Sequence, residues 1–408
     1  MITTQCAILI GGLGTRLGAL TQHTPKPLLP IGGKPFLDVL VDEARRRGFD
    51  DVVLLAGHKS GAVRDYAEGL QRRVGDTCRI TVSVEPEPLG TGGAVTYAAD
   101  LLQKRFLLLN GDTWFDFNWL DLATFSNGRT AVAAREAPTS ERYESLVLGE
   151  GGVVRELRVR GGVHAALING GVYHFNKSDF DGFEGRFSIE EDVLPALIGK
   201  SLLRAKQYSG FFLDIGVPDA FEEAQSTIPA HRRRPALFLD RDGVLIHDDN
   251  YVGSPERARW INGANDAVRL ANDLGYYVFV VTNQAGVARG LYSEADVQAL
   301  HRWMADELRE RGAWVDDWRY CPFHPEGVID RYKAFHPWRK PEPGMIIDLL
   351  EHWPVEVEGS ALIGDKASDC EAATKAGIDA LLFEGGNLRE FLSSHLNRRQ
   401  NVSLADRS

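Results

Sequence analysis

The arrangement of apolar runs constrains the fold of this chain more than any other feature. Between the apolar runs at 6–10 and 52–56, apolar residues recur at helical spacing from Phe36 onward. Strands and helices that alternate in this order favour a parallel sheet with right-handed crossovers. In the first half, short apolar runs bounded by turn residues predict buried strands at 6–10, 52–56, 80–84 and 106–109.

The same pattern starts again after a polar segment, 226–235, that contains two prolines and a basic run. We interpret this segment as a linker between two α/β domains, 1–225 and 236–390, each with a Rossmann-like fold. Residues 391–408 are polar and predict a frayed tail. In the second domain, Ser293 is the predicted N-cap of a helix. Its predicted strands are 236–239, 277–281, 361–363 and 380–383.

The composition excludes several classes of protein. The 408 residues are 44% hydrophobic and 25% charged, which is typical of a globular chain with two or three domains. The 46 basic and 57 acidic side chains give a net charge of −11, so a nonspecific nucleic-acid partner is not expected. No apolar run approaches the roughly 20 residues that span a bilayer, so we expect no membrane partner either.

The cysteines indicate the compartment. Cys6, Cys78, Cys321 and Cys370 lie far apart in the sequence, which favours free thiols over a disulfide framework. The N-terminus lacks a basic region followed by a long apolar one, so no signal peptide is predicted. We therefore expect a cytoplasmic protein that acts on small molecules, and its assembly into a homo-oligomer stays open.

A glycine-rich loop follows the first predicted strand. Gly11, Gly12, Gly14 and Thr15 belong to this loop, where backbone N–H groups can approach a phosphate. The dinucleotide-binding fingerprint is excluded because Leu17 occupies the position of its third glycine. The Gly-Lys-Ser/Thr ending of the phosphate loop is absent too. The glycines alone therefore do not identify a ligand.

Further motifs in the first half supply charge. Lys26 lies in a proline-rich loop, Arg16 lies beside the glycines, and residues 90–94 form a second glycine-rich loop. Asp112 follows an apolar strand, at the position where open α/β sheets bind ligands, and Asp214 follows a later one. Two aspartates that hold a divalent cation, together with two basic side chains, suit attack on a nucleoside triphosphate.

This ordered set of motifs resembles the sugar-1-phosphate nucleotidyltransferase family over about residues 1–225. Within that family it looks most like the heptose-1-phosphate guanylyltransferases, which implies a nucleotidyltransferase fold. The resemblance implies phosphate contacts for Arg16 and Lys26, Mg²⁺ ligation by Asp112 and Asp214, positions near the base for Gly90 and Thr91, and a position near the sugar for Asn169.

The chain departs from this family at one site. Family members often carry a Glu-Lys pair as sugar and phosphate contacts, whereas this chain has Val159 and Arg160. Arg160 can replace the cation. The carboxylate that would bind the sugar is missing from this position.

The second half also gathers charge at strand ends. Asp240 and Asp242 follow an apolar strand, and in extended chain their spacing projects both to one side. Two adjacent carboxylates repel unless one is protonated or a cation lies between them. Three later segments add donors, cations and more carboxylates: Thr282 with Asn283, Arg339 with Lys340, and Asp365 with Lys366 and Asp369.

These segments, in this order, resemble the haloacid dehalogenase phosphatase superfamily over about residues 236–385. Segments 321–327 and 339–345 look like those of the heptose 1,7-bisphosphate phosphatases, and the histidinol phosphatases are an alternative. The resemblance implies that Asp240 is the nucleophile and that Asp242 is the general acid and then the general base. It implies that Thr282 and Lys340 hold phosphoryl oxygens and that substrate is bound by Asn283, Arg339 and Lys366. It also implies that Mg²⁺ is held by Asp240, Asp365 and the backbone near Asp242.

Members of the phosphatase family that this half resembles often carry a structural zinc. Their ligands are Cys-x-His in one segment and Cys-x-Cys in another. This chain has Phe323 two residues after Cys321, and it has His336 and Trp338 in the second segment. A structural site needs about four nitrogen or sulfur ligands. We therefore expect no structural zinc.

Together the two resemblances imply consecutive reactions in one enzyme. A phosphatase that removes the 7-phosphate of a heptose 1,7-bisphosphate leaves heptose 1-phosphate. A guanylyltransferase then condenses this product with GTP, giving GDP-heptose and pyrophosphate. Two alternatives stay open: the same chemistries on another sugar phosphate or nucleotide, and a chain in which one domain is inactive and serves as a binding or regulatory module.

Overall fold

The computed structural model describes residues 3–12, 15–57 and 59–405. The chain forms two compact units, Met1–Ala230 and His231–Ser408. Their boundary falls inside the segment 226–235.

The first unit is a mixed α/β structure. Its strands are β1 (Gln5–Leu9), β2 (Pro30–Ile31), β3 (Lys34–Pro35), β4 (Asp51–Ala56), β5 (Arg79–Val84), β6 (Arg105–Asn110), β7 (Thr113–Phe115), β8 (Thr130–Ala137), β9 (Ser145–Leu148), β10 (Val154–Arg158), β11 (Ala166–Asn176), β12 (Leu203–Gln207) and β13 (Phe212–Asp214). Its α-helices are α1 (Phe36–Arg46), α2 (Ser60–Val74), α3 (Gly90–Tyr97), α4 (Trp119–Ser126), α5 (Leu194–Gly199) and α6 (Pro218–Arg232).

The main sheet of this unit has the order β10-β9-β11-β6-β1-β4-β5, and β8 and β12 continue from β11. The predicted strands are β1, β4, β5 and β6, and they pair in parallel as expected. The antiparallel strand β11 was not predicted, because Asn169, Gly170 and Gly171 interrupt its apolar pattern. The pairing of β11 with β8 shifts register between Asn169 and Tyr173.

The second unit has a fully parallel sheet with the order β16-β15-β14-β17-β18. Its strands are β14 (Arg234–Leu239), β15 (Tyr277–Asn283), β16 (Asp317–Cys321), β17 (Val355–Gly364) and β18 (Asp379–Leu382). Its α-helices are α7 (Ala264–Asp273), α8 (Ala285–Ala288), α9 (Glu294–Glu310), α10 (Gly344–His352), α11 (Ala367–Ala376) and α12 (Leu388–Ala405).

The second sheet places its functional residues by strand order. The central strand β14 lies between β15 and β17, and all three run in the same direction. Their carboxyl ends therefore meet at one edge, where Asp240, Thr282 and Asp365 follow or end the strands. Ser293 caps α9 as predicted, since its side chain accepts a hydrogen bond from the backbone N–H of Asp296.

Two segments differ from their predicted conformation. The expected linker 226–235 is not a loop, because α6 continues to Arg232 and β14 begins at Arg234. The expected frayed tail begins inside the helix α12 and is helical as far as Ala405, the last residue that the structure describes. Leu388 and Leu392 lie one helical turn apart and are buried in the core of the second unit, so the apolar contacts of this face order a segment whose composition is polar.

Among the described residues, no helix is long and apolar enough to cross a membrane. The four cysteines are free, and Cys6, Cys78 and Cys321 are buried.

We expect Leu392→Ala to lower the free energy of unfolding of the second unit by about 2–5 kcal/mol, because it removes a fully buried side chain from the core. The loss of phosphatase activity with increasing denaturant concentration measures this change in the free energy of unfolding. Arg389→Ala, on the exposed side of the same helix, is the matched control. Equal stability of the two variants would mean that α12 does not pack as described.

Candidate active sites

In the first unit, a lysine and two aspartates converge at the end of the sheet. Asp112 follows β6, and its Oδ2 lies 2.7 Å from Nζ of Lys26, which begins a short 3₁₀ turn. A side chain on Gly216 would begin 2.7 Å from Oδ1 of Asp214 and 3.4 Å from Nζ of Lys26. The structure therefore brings together three of the side chains predicted for phosphate and metal binding.

Asp214 is the more deeply buried of the two aspartates. It ends β13, and its carboxylate accepts hydrogen bonds from Nη2 of Arg142 at 2.6 Å, the hydroxyl of Tyr143 at 3.2 Å and the backbone N–H of Gly216 at 2.7 Å. Burial, followed by the neighbouring charge of Asp112, raises the pKa of Asp214, and Arg142 opposes this shift. Two carboxylates that repel in this way, with oxygen donors only, fit a hard divalent cation such as Mg²⁺.

The predicted glycine-rich loop follows β1, which pairs with β6, the strand that precedes Asp112. Gly11 and Gly12 directly follow β1, and Arg16 is exposed on the 3₁₀ segment Thr15–Thr21. Gly14 lies outside the described residues, and Thr15 is described only through its backbone.

A carboxylate that the sequence did not single out faces the same loop. Glu85 directly follows β5, and its Oε1 lies 3.3 Å from the position that a Cβ on Gly11 would take. The same oxygen occupies the space that a side chain on Gly57 would need. The other oxygen accepts a hydrogen bond from the backbone N–H of Leu89 at 3.3 Å. Burial raises the pKa of Glu85.

The residues expected near the base and sugar form a hydrogen-bonded network. Thr91 donates to Oε2 of Glu190 at 3.0 Å, and the hydroxyl of the buried Tyr173 donates to its Oε1 at 3.3 Å. Nδ2 of Asn169 donates to the hydroxyl of Tyr173 at 2.8 Å, and its Oδ1 accepts from the backbone N–H of Gly171. The amide of Asn169 and the hydroxyl of Thr91 therefore both bind protein groups. Gly90 begins α3 with φ of 78°.

Arg160 pairs with a second carboxylate that the sequence did not single out. Its Nε donates to Oε1 of Glu144, which directly precedes β9. Val159, in contrast, is 86% exposed.

In the second unit, Lys340 joins two buried carboxylates. Its Nζ lies 2.8 Å from Oδ2 of Asp240 and 2.7 Å from Oδ1 of Asp369, and it donates to the carbonyl of Val281 at 2.9 Å. Burial raises the pKa of Asp240, and Lys340 opposes this shift. Burial lowers the pKa of Lys340, but the two carboxylates outweigh it, so its pKa lies above the usual value.

Asp369 belongs to the same predicted motif as Asp365, but the sequence assigned it no role. One ligand oxygen from each of Asp240, Asp365 and Asp369 can be chosen so that all three lie within 4.8 Å of one another. Oδ1 of Asp365 is buried without a hydrogen-bond donor. A set of carboxylate oxygens with an unsatisfied member fits Mg²⁺.

The carboxylate of Asp242 lies outside this group of three. Nη2 of the fully buried Arg241 donates to both of its oxygens at 3.0 Å, and Nε2 of Gln284 donates to Oδ2 at 2.8 Å. The metal contact predicted here was through the backbone near Asp242, so a separate position of its carboxylate does not conflict with that prediction.

The predicted phosphatase residues, except Asp365, line one cleft of about 410 Å³. Asn283 binds the backbone of Lys340 twice: its Nδ2 donates to the carbonyl at 3.0 Å, and its Oδ1 accepts from the N–H at 3.0 Å. Lys366 extends to Asp248, with Nζ 2.9 Å from Oδ2. The predicted residues that line the cleft are Asp240, Asp242, Thr282, Asn283, Arg339, Lys340 and Lys366.

Comparison with known proteins agrees with this division. The nucleotidyl transferase family model matches residues 6–231, and the HAD-hydrolase-like model matches residues 337–404. A D-glycero-beta-D-manno-heptose-1,7-bisphosphate 7-phosphatase from Rhodopseudomonas palustris is 53% identical over 174 residues, 43% of this chain and 97% of the relative. The chain belongs to two enzyme families, the nucleotidyl transferases and the HAD-like phosphatases.

One curated relative and one crystal structure are similar to the nucleotidyl transferase half. A D-glycero-alpha-D-manno-heptose 1-phosphate guanylyltransferase from Campylobacter jejuni is 32% identical over 219 residues, 53% of this chain and 96% of the relative. The crystal structure of HddC from Yersinia pseudotuberculosis is similar with a TM-score of 0.50 and 28% identity, and the match covers 56% of this chain and 100% of that one. The chain is therefore a bifunctional enzyme.

In the phosphatase half, aromatic packing occupies the two segments in which the sequence comparison with the family placed the zinc ligands of relatives. The rings of Phe323 and His336 stack in parallel with centroids 4.4 Å apart, and Trp338 meets His336 edge-on at 6.2 Å. Nδ1 of His336 accepts a hydrogen bond from the backbone N–H of Trp338 at 3.1 Å. Arg339 follows directly and donates to the carbonyl of Phe323 at 3.3 Å. This stacking therefore holds the loop that carries Arg339 and Lys340.

We expect Asp240→Asn to reduce phosphatase turnover on the order of 10³-fold or more, because the amide cannot act as the nucleophile. Phosphate release measures the loss, and nucleotidyl transfer by the same protein should be unchanged. Asp306→Asn, at an exposed position on α9, is the control. Phosphatase turnover near the wild-type rate in Asp240→Asn would rule out the covalent mechanism.

For the nucleotidyl transferase half, we expect Lys26→Ala and Asp112→Ala each to slow pyrophosphate release on the order of 10²-fold or more, because each removes a charge that organises the phosphates. Phosphatase activity should be retained. The exposed Lys34→Ala is the control for loss of a positive charge nearby in sequence. If Lys26→Ala behaved like Lys34→Ala, Lys26 would have no role at the phosphates.

Proposed function

We propose that this enzyme removes the 7-phosphate of D-glycero-D-manno-heptose 1,7-bisphosphate and then transfers GMP from GTP to the resulting heptose 1-phosphate, giving GDP-heptose and pyrophosphate. One observation carries the proposal. The two halves of one chain match relatives named for these two activities, and each match covers at least 96% of the relative. The product of the first reaction is the substrate of the second.

In the phosphatase reaction, a carboxylate oxygen of Asp240 attacks the phosphorus of the 7-phosphate, and the C7 oxygen leaves with a proton from Asp242. Asp242 then takes a proton from the water that hydrolyses the aspartyl phosphate. Lys340 and Thr282 hold the phosphoryl oxygens. Mg²⁺ bound to Asp240 and Asp365 would neutralise charge on the phosphoryl group. The pairing of Asp240 with Lys340 supports this assignment, because the positive charge of the lysine opposes the rise in the pKa of Asp240 that burial causes.

In the transferase reaction, a phosphate oxygen of heptose 1-phosphate attacks the α-phosphorus of GTP, and pyrophosphate leaves. Lys26 and Arg16 offset the charge of the phosphates. Mg²⁺ held by Asp112 and Asp214 would organise the triphosphate. The hydrogen bonds from Arg142, Tyr143 and Gly216 support this assignment, because they fix the orientation of Asp214.

The position of Glu85 supports guanine as the base. A carboxylate accepts hydrogen bonds, so a ligand group that binds directly to Glu85 would be a hydrogen-bond donor. Guanine presents two adjacent donors, its N1–H and its exocyclic amino group, which match the two oxygens of one carboxylate. Adenine and the pyrimidines lack this pair of donors.

The anomer follows from the order of the reactions. The guanylyltransferase relative is named for the alpha anomer, whereas the phosphatase relatives are named for the beta anomer or, in Burkholderia mallei at 44% identity, for the alpha anomer. Consecutive reactions require one anomer, so we propose the alpha anomer for both. We place the enzyme in the cytoplasm, since its thiols are free.

The proposed function predicts that this enzyme, given alpha-heptose 1,7-bisphosphate and GTP, releases one phosphate and one pyrophosphate per GDP-heptose formed. A screen of four nucleoside triphosphates against both anomers and several other sugar 1-phosphates tests it. A better sugar or nucleotide than heptose 1-phosphate with GTP would replace the proposed substrate. Activity at one site only would favour a chain with one inactive domain.

We expect Glu85→Gln to lower the preference for GTP over the other triphosphates by roughly 10²-fold. The glutamine side chain has one acceptor oxygen instead of two, and its NH₂ group would face a hydrogen-bond donor of guanine. The specificity ratio kcat/KM for GTP against ATP measures it. Glu87→Gln, two residues later and exposed, is the matched control. An unchanged ratio in Glu85→Gln would exclude this residue from base recognition.

A further inference from the structure

Three consecutive residues before β9 reach the nucleotidyltransferase site. Arg142 and Tyr143 both donate hydrogen bonds to Asp214, and Glu144 pairs with Arg160. The backbone carbonyl of Glu144 accepts a hydrogen bond from the N–H of Asn169 at 3.0 Å. This segment is therefore fixed at both the metal-binding and the sugar-binding side of the site.

The two glutamates of this region differ in free acceptor capacity. Glu190 accepts from Tyr173 through Oε1 and from Thr91 and Ser188 through Oε2, so both oxygens are satisfied by the protein. Glu144 accepts only from Arg160, through Oε1, and no donor among the described residues reaches its Oε2. Its side chain is 18% exposed, which leaves this oxygen open to a ligand.

The charge around Glu144 suits a phosphorylated sugar. Arg160 is half exposed and supplies a cation beside the carboxylate. Burial lowers the pKa of Arg160, but Glu144 and then Glu190 and Asp214 outweigh it, so the pKa lies above its usual value. A carboxylate that accepts from hydroxyl groups, next to a cation that meets a phosphate, is complementary to a sugar 1-phosphate.

We propose that Glu144 binds hydroxyl groups of the sugar through its free oxygen and so determines which sugar 1-phosphate the transferase accepts. This inference rests on the proposed function. Glu144 acts from a position before β9, whereas position 159 carries an exposed valine that offers no acceptor. The sugar-binding carboxylate is therefore present in the folded site, although it is distant in sequence from Arg160.

The experiment combines a protein variant with altered substrates. Wild-type enzyme and Glu144→Ala are assayed with GTP and either heptose 1-phosphate or analogues that each lack one ring hydroxyl. A hydrogen bond between a hydroxyl and a charged group accounts for roughly a 10- to 100-fold difference in kcat/KM. For the wild type, kcat/KM should be lower by that factor with at least one analogue than with the parent sugar. For Glu144→Ala, kcat/KM should be the same with that analogue and with the parent sugar.

Two further variants separate sugar binding from a positioning role. If Glu144 only orients Arg160, then Glu144→Ala lowers kcat/KM equally for every analogue and matches Arg160→Ala, and the proposal is wrong. Glu156→Gln changes an exposed glutamate that pairs with Arg158 on β10, and it should leave all values unchanged. A circular dichroism spectrum and a thermal unfolding curve that match the wild type show that the first unit of each variant is folded.

The outcome is distinguishable from failure of the proposed function. If the wild type prefers another sugar 1-phosphate, heptose is the wrong substrate, and the same comparison is made with deoxy analogues of the preferred sugar. Loss of discrimination in Glu144→Ala would then still support the role of Glu144. Retention of full discrimination would overturn it with either sugar.

Discussion

Each active site depends on the same physical constraint: carboxylates gathered at one sheet edge repel one another, and burial strengthens that repulsion. In both halves a buried or half-buried cation offsets it. Lys340 lies between Asp240 and Asp369, and Lys26 pairs with Asp112. The cations must be held as firmly as the carboxylates. Asn283 therefore binds the backbone of Lys340 on both its N–H and its carbonyl.

This constraint explains why several residues outside the motifs are buried. Arg241 lies between the two aspartates in sequence, and its guanidinium is fully buried against Asp242. It also donates to Oε1 of Gln284 at 2.8 Å, and Gln284 in turn donates to Asp242. Arg241 and Gln284 thus hold Asp242, whereas Lys340 pairs with Asp240. The two carboxylates of the motif have separate partners, in keeping with the separate roles that we propose for them in nucleophilic attack and proton transfer.

The sequence predicted those parts of the molecule in which function and local pattern coincide. Parallel strands are buried on both faces, so β1, β4, β6, β14 and β15 were visible as apolar runs, and the charged residues after them mark the sheet edge. The strand β16, with the sequence Asp-Trp-Arg-Tyr-Cys, has no such run and was missed. Glu85 and Glu144 were missed for a different reason. Each is a single glutamate, and only the folded chain brings it to Gly11 or Arg160.

The stacking of Phe323 on His336 affects how the phosphatase half responds to oxidants. A loop tied by thiolates fails when oxidants convert those thiolates to disulfides or sulfenic acids. Here the ring-to-ring contact that holds Arg339 and Lys340 contains no sulfur. The nearby Cys321 is buried, and burial raises the pKa of its thiol, which disfavours the reactive thiolate. Oxidative stress therefore has no exposed thiolate to attack in this loop.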